Sequence, residues 1–146
     1  MAQIPFSFRE LKRAWNSLHA ASQQTQKSNA HRLLLFYAIE CGLKAMWLKQ
    51  ENRTIFSSEE IQRTGHDLND VIKQLRLGKK ITPDIFHLCD LKNEKRNNIS
   101  RKGNRLDTLH QAWRYGGQLE AVPADDKKME AELEQINLLI EKELNS

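Results

Sequence analysis

The sequence predicts an all-α fold, a bundle of five or six helices in one domain. Apolar residues recur at spacings of three and four in segment after segment, and no stretch alternates apolar and polar residues with a strand's period of two. Proline, glycine and polar runs cut the chain into helix-length pieces. Its 146 residues suit a single domain, because a chain near 150 residues buries roughly two-thirds of its unfolded surface.

Ser7 is a candidate N-cap for a first helix, in which Phe8, Leu11, Trp15, Leu18 and Ala21 mark the core face before the polar segment SQQTQKSN. A second, longer helix is expected from Ala30 to Lys49. Leu35, Ile39, Leu43 and Met46 form one stripe with Phe36 and Trp47 beside it, so apolar residues on nearly every side mark the central helix. Glu40 and Lys44 stand four apart in the favourable order, worth a few tenths of a kcal/mol on an exposed face.

The polar stretch Glu51 to Thr64 has room for one short turn. A third helix is expected over Asp67 to Leu77, capped by Asp67 or His66 and ended by Gly78. Thr82-Pro83 reads as the start of a fourth helix, with Ile85, Phe86, Leu88, Cys89 and Leu91 on its buried side. Asn97 to Asn104 reads as a loop, helicity resumes over Leu106 to Tyr115, and Gly116-Gly117 stops it. Pro123 opens the last helix, with Asp125 and Asp126 at its positive end. In this 118–146 segment Met129, Leu133, Ile136, Ile140 and Leu144 step by four, three, four and four. Two repeats are short for a coiled coil, so this is expected to be an amphipathic packing helix.

Charge is unevenly distributed. The chain carries +4, and its last 26 residues hold seven acids against three lysines, which leaves +8 on the first 120. A basic body of this kind suits an anionic partner. The densest run is Lys92, Lys95, Arg96, Arg101, Lys102 and Arg105, with Glu94 the single acid among them. It reads either as an RNA-facing patch or as a solvated helix end and loop. No aromatic residue interrupts it, so base stacking is not implied.

No run approaches the ~18 apolar residues that span a bilayer, and charge interrupts the start too early for a signal peptide. A cytoplasmic protein without a membrane partner is expected. Cys41 and Cys89 read as small core residues of a reducing compartment rather than a disulfide or zinc site.

Phosphate-cradling glycine loops, HExxH and GxSxG are all missing from the sequence. Its five histidines include no pair spaced with a carboxylate for metal binding. No metal site and no cofactor are therefore expected. One constellation remains: Arg105 and His110, with Arg114 one turn on. A neutral imidazole can take a proton from a ribose 2′-hydroxyl while a guanidinium stabilises the pentavalent phosphorus, with no metal ion. Five residues of helix turn through about 500°, which leaves two side chains roughly 140° apart, so the pairing requires Arg105 to lie in the preceding loop.

Three segments carry a likeness to a known family. The central helix HRLLLFYAIECGLKAMWLKQ, the entry Gly65-His66-Asp67-Leu68 followed by Val71, Ile72 and Leu75, and a late arginine and histidine with Arg114-Tyr115-Gly116 together resemble the HEPN superfamily. These are helical domains of prokaryotic toxins, antiphage systems and CRISPR effectors. The resemblance covers residues 8 to 117. It implies RNA cleavage by an arginine and a following histidine, in a cleft formed by the motifs of two protomers, and hence a homodimer.

Two placements of that motif compete. Arg105 and His110 fit its spacing, with Leu106 where a polar residue is usual. Arg96-Asn97-Asn98 fits its beginning, with Arg101 in the histidine's place. On the first placement His110 is the base, Arg105 stabilises the phosphate, and Arg96, Arg101, Lys102 and Arg114 bind RNA. The function expected is an RNA-engaging protein of a bacterial defence or toxin–antitoxin system that cleaves RNA without metal. The alternative is a non-catalytic adaptor or subunit of a larger complex. A small-molecule pocket lined by Trp15, Trp47 and Trp113 ranks behind both, because each sits at core spacing.

Overall fold

A computed structural model describes residues 4–146. Its helices are α1 (Phe8–Ser22), α2 (Asn29–Gln50), α3 (Ser58–Thr64), α4 (Leu68–Leu75), α5 (Leu109–Arg114) and α6 (Asp126–Leu144). Six short strands accompany them: β1 (Phe6–Ser7), β2 (Ile55–Phe56), β3 (Ile85–Phe86), β4 (Leu91–Lys92), β5 (Asn98–Ile99) and β6 (Asn104–Arg105). The domain is mostly helical but not purely so.

Ser7 caps α1 as expected. Its hydroxyl accepts from the Glu10 amide at 3.1 Å, and the Glu10 carboxylate accepts from the Ser7 amide at 3.0 Å, a reciprocal box that satisfies two donors the helix itself cannot. Ala21, assigned to the core stripe, is exposed at the helix end. The central position of α2 holds, since α1, α4, α5 and α6 all pack on it. Leu35, Phe36, Ile39, Leu43, Met46 and Trp47 are buried. α6 packs on α2 through the expected stripe, Met129, Leu133, Ile136, Ile140 and Leu144.

Where α1, α2 and α6 meet, Gly42 lets them approach closely. A methyl group at that position would lie 2.8 Å from Ile140 Cγ2 and 2.8 Å from Trp15 Cδ1. All three tryptophans are core residues. Trp15 donates its indole N–H to Asn137 Oδ1 and Trp113 to Asp126 Oδ1, each at 2.8 Å.

Further expectations fail. The helix assigned from Pro83 to Leu91 does not form. The chain instead runs into a two-tier hairpin, β3 pairing antiparallel with β6 and β4 with β5. Phe86 and Leu88, two residues apart, are buried while Ile85 and Cys89 are exposed, which is strand periodicity. Cys89 is therefore no core residue. Polar side chains hold the hairpin: Asp90 accepts from the Arg101 amide at 2.9 Å, and Asn93 Oδ1 accepts from the Lys95 and Asn97 amides at 2.9 Å each. These side chains satisfy backbone groups that a helix would have paired internally.

Other differences concern helix ends. α6 starts at Asp126 rather than Pro123, because Asp125 supplies the cap, accepting from the Lys128 amide at 2.8 Å. α4 stops at Leu75, two residues short, with Arg76 in the left-handed conformation expected of Gly78. At its start Asp67, not His66, is the cap, accepting from the Asp70 amide at 3.2 Å.

Candidate functional site

The sequence of α2 places Tyr37, Glu40 and Lys44 three and then four residues apart, one polar stripe across the apolar middle of the helix. Buried polar groups need partners, and the fold brings them from two distant segments. His66 comes from the turn before α4, and His110 from the first turn of α5. Glu40 Oε1 accepts from His66 Nδ1 at 2.6 Å, while Lys44 Nζ lies 3.4 Å from Glu40 Oε2. The Glu40–Lys44 pair is thus nearly enclosed rather than an exposed helix support. Lys44 also sits 5.5 Å from the centre of the Phe56 ring.

A carboxylate only accepts hydrogen bonds, so Glu40 fixes the hydrogen of neutral His66 on Nδ1 and leaves the lone pair on Nε2. The His66 side chain is 43 % exposed. His110 lies behind it, 5 % exposed, with ring centres 4.0 Å apart. Phe36 and Tyr37 flank His110 at 5.6 and 6.3 Å. Burial chiefly holds the His110 imidazole below its ordinary 6.5, and the fields of His66 and Arg114 add to this against those of Glu40 and Asp107. Its Nδ1 is buried and makes no hydrogen bond.

Arg114 ends α5 at the rim. It donates to the Tyr37 hydroxyl, and its guanidinium is 5.9 Å from the centre of that ring. Tyr37 in turn stands 6.2 Å from the His66 ring. The exposed edge of the cluster therefore joins a cation, a phenol and an imidazole backed by a carboxylate.

The sequence-derived residues divide. His110 and Arg114 belong to this cluster. Arg105, 74 % exposed, sits 3.9 Å from Asp67 Oδ2 and 3.7 Å from Asp107 Oδ2. Among the described residues no hydrogen bond, ion pair or ring contact joins it to His110. Asp67 follows His66 directly, so Arg105 adjoins the cluster from the other side. Arg101 donates from Nε to the Cys89 carbonyl at 2.7 Å, and Lys102 is paired with Glu120. Arg96 stays exposed in the hairpin turn, and among the described residues no hydrogen bond, ion pair or ring contact joins it to His66 or His110. Sequence reasoning missed Tyr37, Glu40 and His66 as site residues. The available signal was the polar stripe on α2, whose partners no spacing rule could supply.

Among the described residues no group of three or more His, Cys, Asp and Glu side chains is arranged to hold a metal ion. No helix among them is long and apolar enough to cross a membrane. The chain matches no protein-family model, no curated protein and no solved structure.

Proposed function

We propose that this chain is an HEPN-like, RNA-engaging domain of a bacterial defence or toxin–antitoxin system. On this reading it acts in the cytoplasm as a homodimer and cleaves RNA without a metal ion. The supporting observation is the half-exposed His66 imidazole, oriented by Glu40 beside Tyr37 and Arg114. His66, rather than the enclosed His110, is the base. Its Nε2 removes the 2′-hydroxyl proton, O2′ bonds to the adjacent phosphorus, and the bond from phosphorus to O5′ breaks. The departing oxygen takes a proton from water, which leaves a 2′,3′-cyclic phosphate and a 5′-hydroxyl. Arg114 offsets the charge that builds on the phosphorane oxygens. His110, neutral and buried, holds the His66 ring in place.

The test is cleavage of a labelled RNA pool in EDTA. Replacing a general base typically costs about 10²–10⁴-fold in rate, so His66→Ala is expected to lose activity on that scale, with cyclic ends on the wild-type products. A folded protein that does not cleave, or one that cleaves equally well as His66→Ala, refutes the reading. One observation favours the alternative of a non-catalytic HEPN-like subunit: His110 is enclosed, and Arg105 is held by Asp67 and Asp107. On that alternative all variants are inactive alike.

A further inference from the structure

The chain leaving α4 forms a cationic concavity that the sequence did not single out. Its volume is about 540 Å³, and Lys73, Arg76, Lys79 and Lys80 line it against one acid, Asp84. All four cations are exposed. None of their side chains makes an ion pair or hydrogen bond among the described residues, whereas Arg32, Lys44, Arg53, Lys102 and Arg105 each have a carboxylate within 4.0 Å. Lys73 stands in the last turn of α4 and Arg76 is the left-handed residue that caps it.

The loop that carries Lys79 and Lys80 is anchored to α4. Asn69 donates to the Ile81 carbonyl at 2.9 Å and accepts from its amide at 2.8 Å, and the Ile81 side chain is fully buried. The cations are thus grouped on a fixed frame before any ligand arrives. Like charges gathered around a concavity concentrate the field and draw in anions.

We propose that this concavity binds the phosphate backbone of single-stranded RNA. Four cations exceed what one phosphodiester charge requires and match successive phosphates along a strand. No aromatic residue lines the concavity, so it reads charge and not bases. This assignment rests on the RNA-engaging reading but not on cleavage. In the run Lys92 to Arg105, Lys102 and Arg105 face carboxylates and Arg101 is turned to a carbonyl, while Lys92, Lys95 and Arg96 stay exposed and unpaired among the described residues and are the competing contact.

The experiment is fluorescence anisotropy with a labelled 2′-O-methyl oligouridylate of roughly 16 nucleotides, near the upper end of single-module site sizes. The methylated probe has no free 2′-hydroxyl to attack, so binding is measured apart from cleavage. Each neutralised phosphate contributes about 0.7 to the slope of log affinity against log salt on single strands, so four contacts weaken binding about 50-fold between roughly 50 and 200 mM NaCl. The variant Arg76→Gln/Lys79→Gln/Lys80→Gln should lower the slope by about 2 and leave only an approximately threefold salt effect from this site. The hairpin variant Lys92→Gln/Lys95→Gln/Arg96→Gln should stay close to wild type. Thermal melts establish that each is folded.

Wild-type binding that the loop variant retains, or that both variants lose equally, overturns the concavity as the site while RNA engagement stands. Absence of wild-type binding overturns both readings. Polyglutamate bound as tightly as the oligonucleotide overturns RNA in favour of an acidic-peptide site.

Discussion

Replacing Gly42 by alanine should destabilise the protein although it improves the helix. In isolation the change is favourable by about 1 kcal/mol, since glycine is a poor residue for a helix interior. Here the added methyl would stand 2.8 Å from Ile140 Cγ2, 2.9 Å from Ile140 Cδ1 and 2.8 Å from Trp15 Cδ1. Neither neighbour can easily retreat. Ile140 is completely buried, and Trp15 is fixed by its indole hydrogen bond to Asn137. Overpacking of a filled core costs about 1–3 kcal/mol, and two immobile neighbours place this case at the upper end. The net expectation is a loss of about 2 kcal/mol, or a melting temperature lower by roughly 4–8 °C for a chain of this size. Urea titration followed by tryptophan fluorescence should show a lower midpoint at unchanged slope. In an Ile140→Ala background the cost of Gly42→Ala should shrink, because the two sites then no longer collide. Equal or greater stability of Gly42→Ala would refute the close approach of α1, α2 and α6.

Other consequences follow from buried polar groups. Asn137→Ala leaves the Trp15 indole N–H without its acceptor, and denaturant titration should register a loss of about 1–3 kcal/mol. Glu40→Gln strands the enclosed Lys44 ammonium. It should cost roughly 3 kcal/mol or more, and Lys44→Met in the same chain should restore most of it; a neutral Glu40→Gln defeats this account. His110 titrates below its ordinary 6.5 when folded, so below about 6.5 the unfolded chain binds the proton more readily. The contribution of neutral His110 to stability is therefore complete above that pH and declines as pH falls toward the folded value. The stability difference between wild type and His110→Gln should narrow with acidification, and a constant difference from pH 8 to about 5 would contradict the shift. Glu60, hydrogen-bonded to Arg53 and to the Ser57 amide, is held down to about 2. The advantage of wild type over Glu60→Gln should accordingly be present above about 4.3 and vanish as pH falls toward 2.

The sequence by itself determined whatever depends on neighbours three or four residues away. The Ser7 cap, the central α2 with apolar residues on nearly every side and the α6 stripe were legible for that reason, because helical periodicity and caps are local. The run Ile85 to Leu91 was not. Its apolar spacing satisfies either a helix or a strand, and the choice was made by Asp90, Asn93 and the two returning strands β5 and β6. The candidate site divides in the same way. His110 and Arg114 stood out because they lie close together in the chain. Glu40 and His66, 26 residues apart, could be joined only by tertiary structure, as could the unpaired cations around Lys79. Which charges find a partner depends on how helices and loops pack, and packing is set by contacts between segments remote in the chain rather than by the order of residues within any one of them.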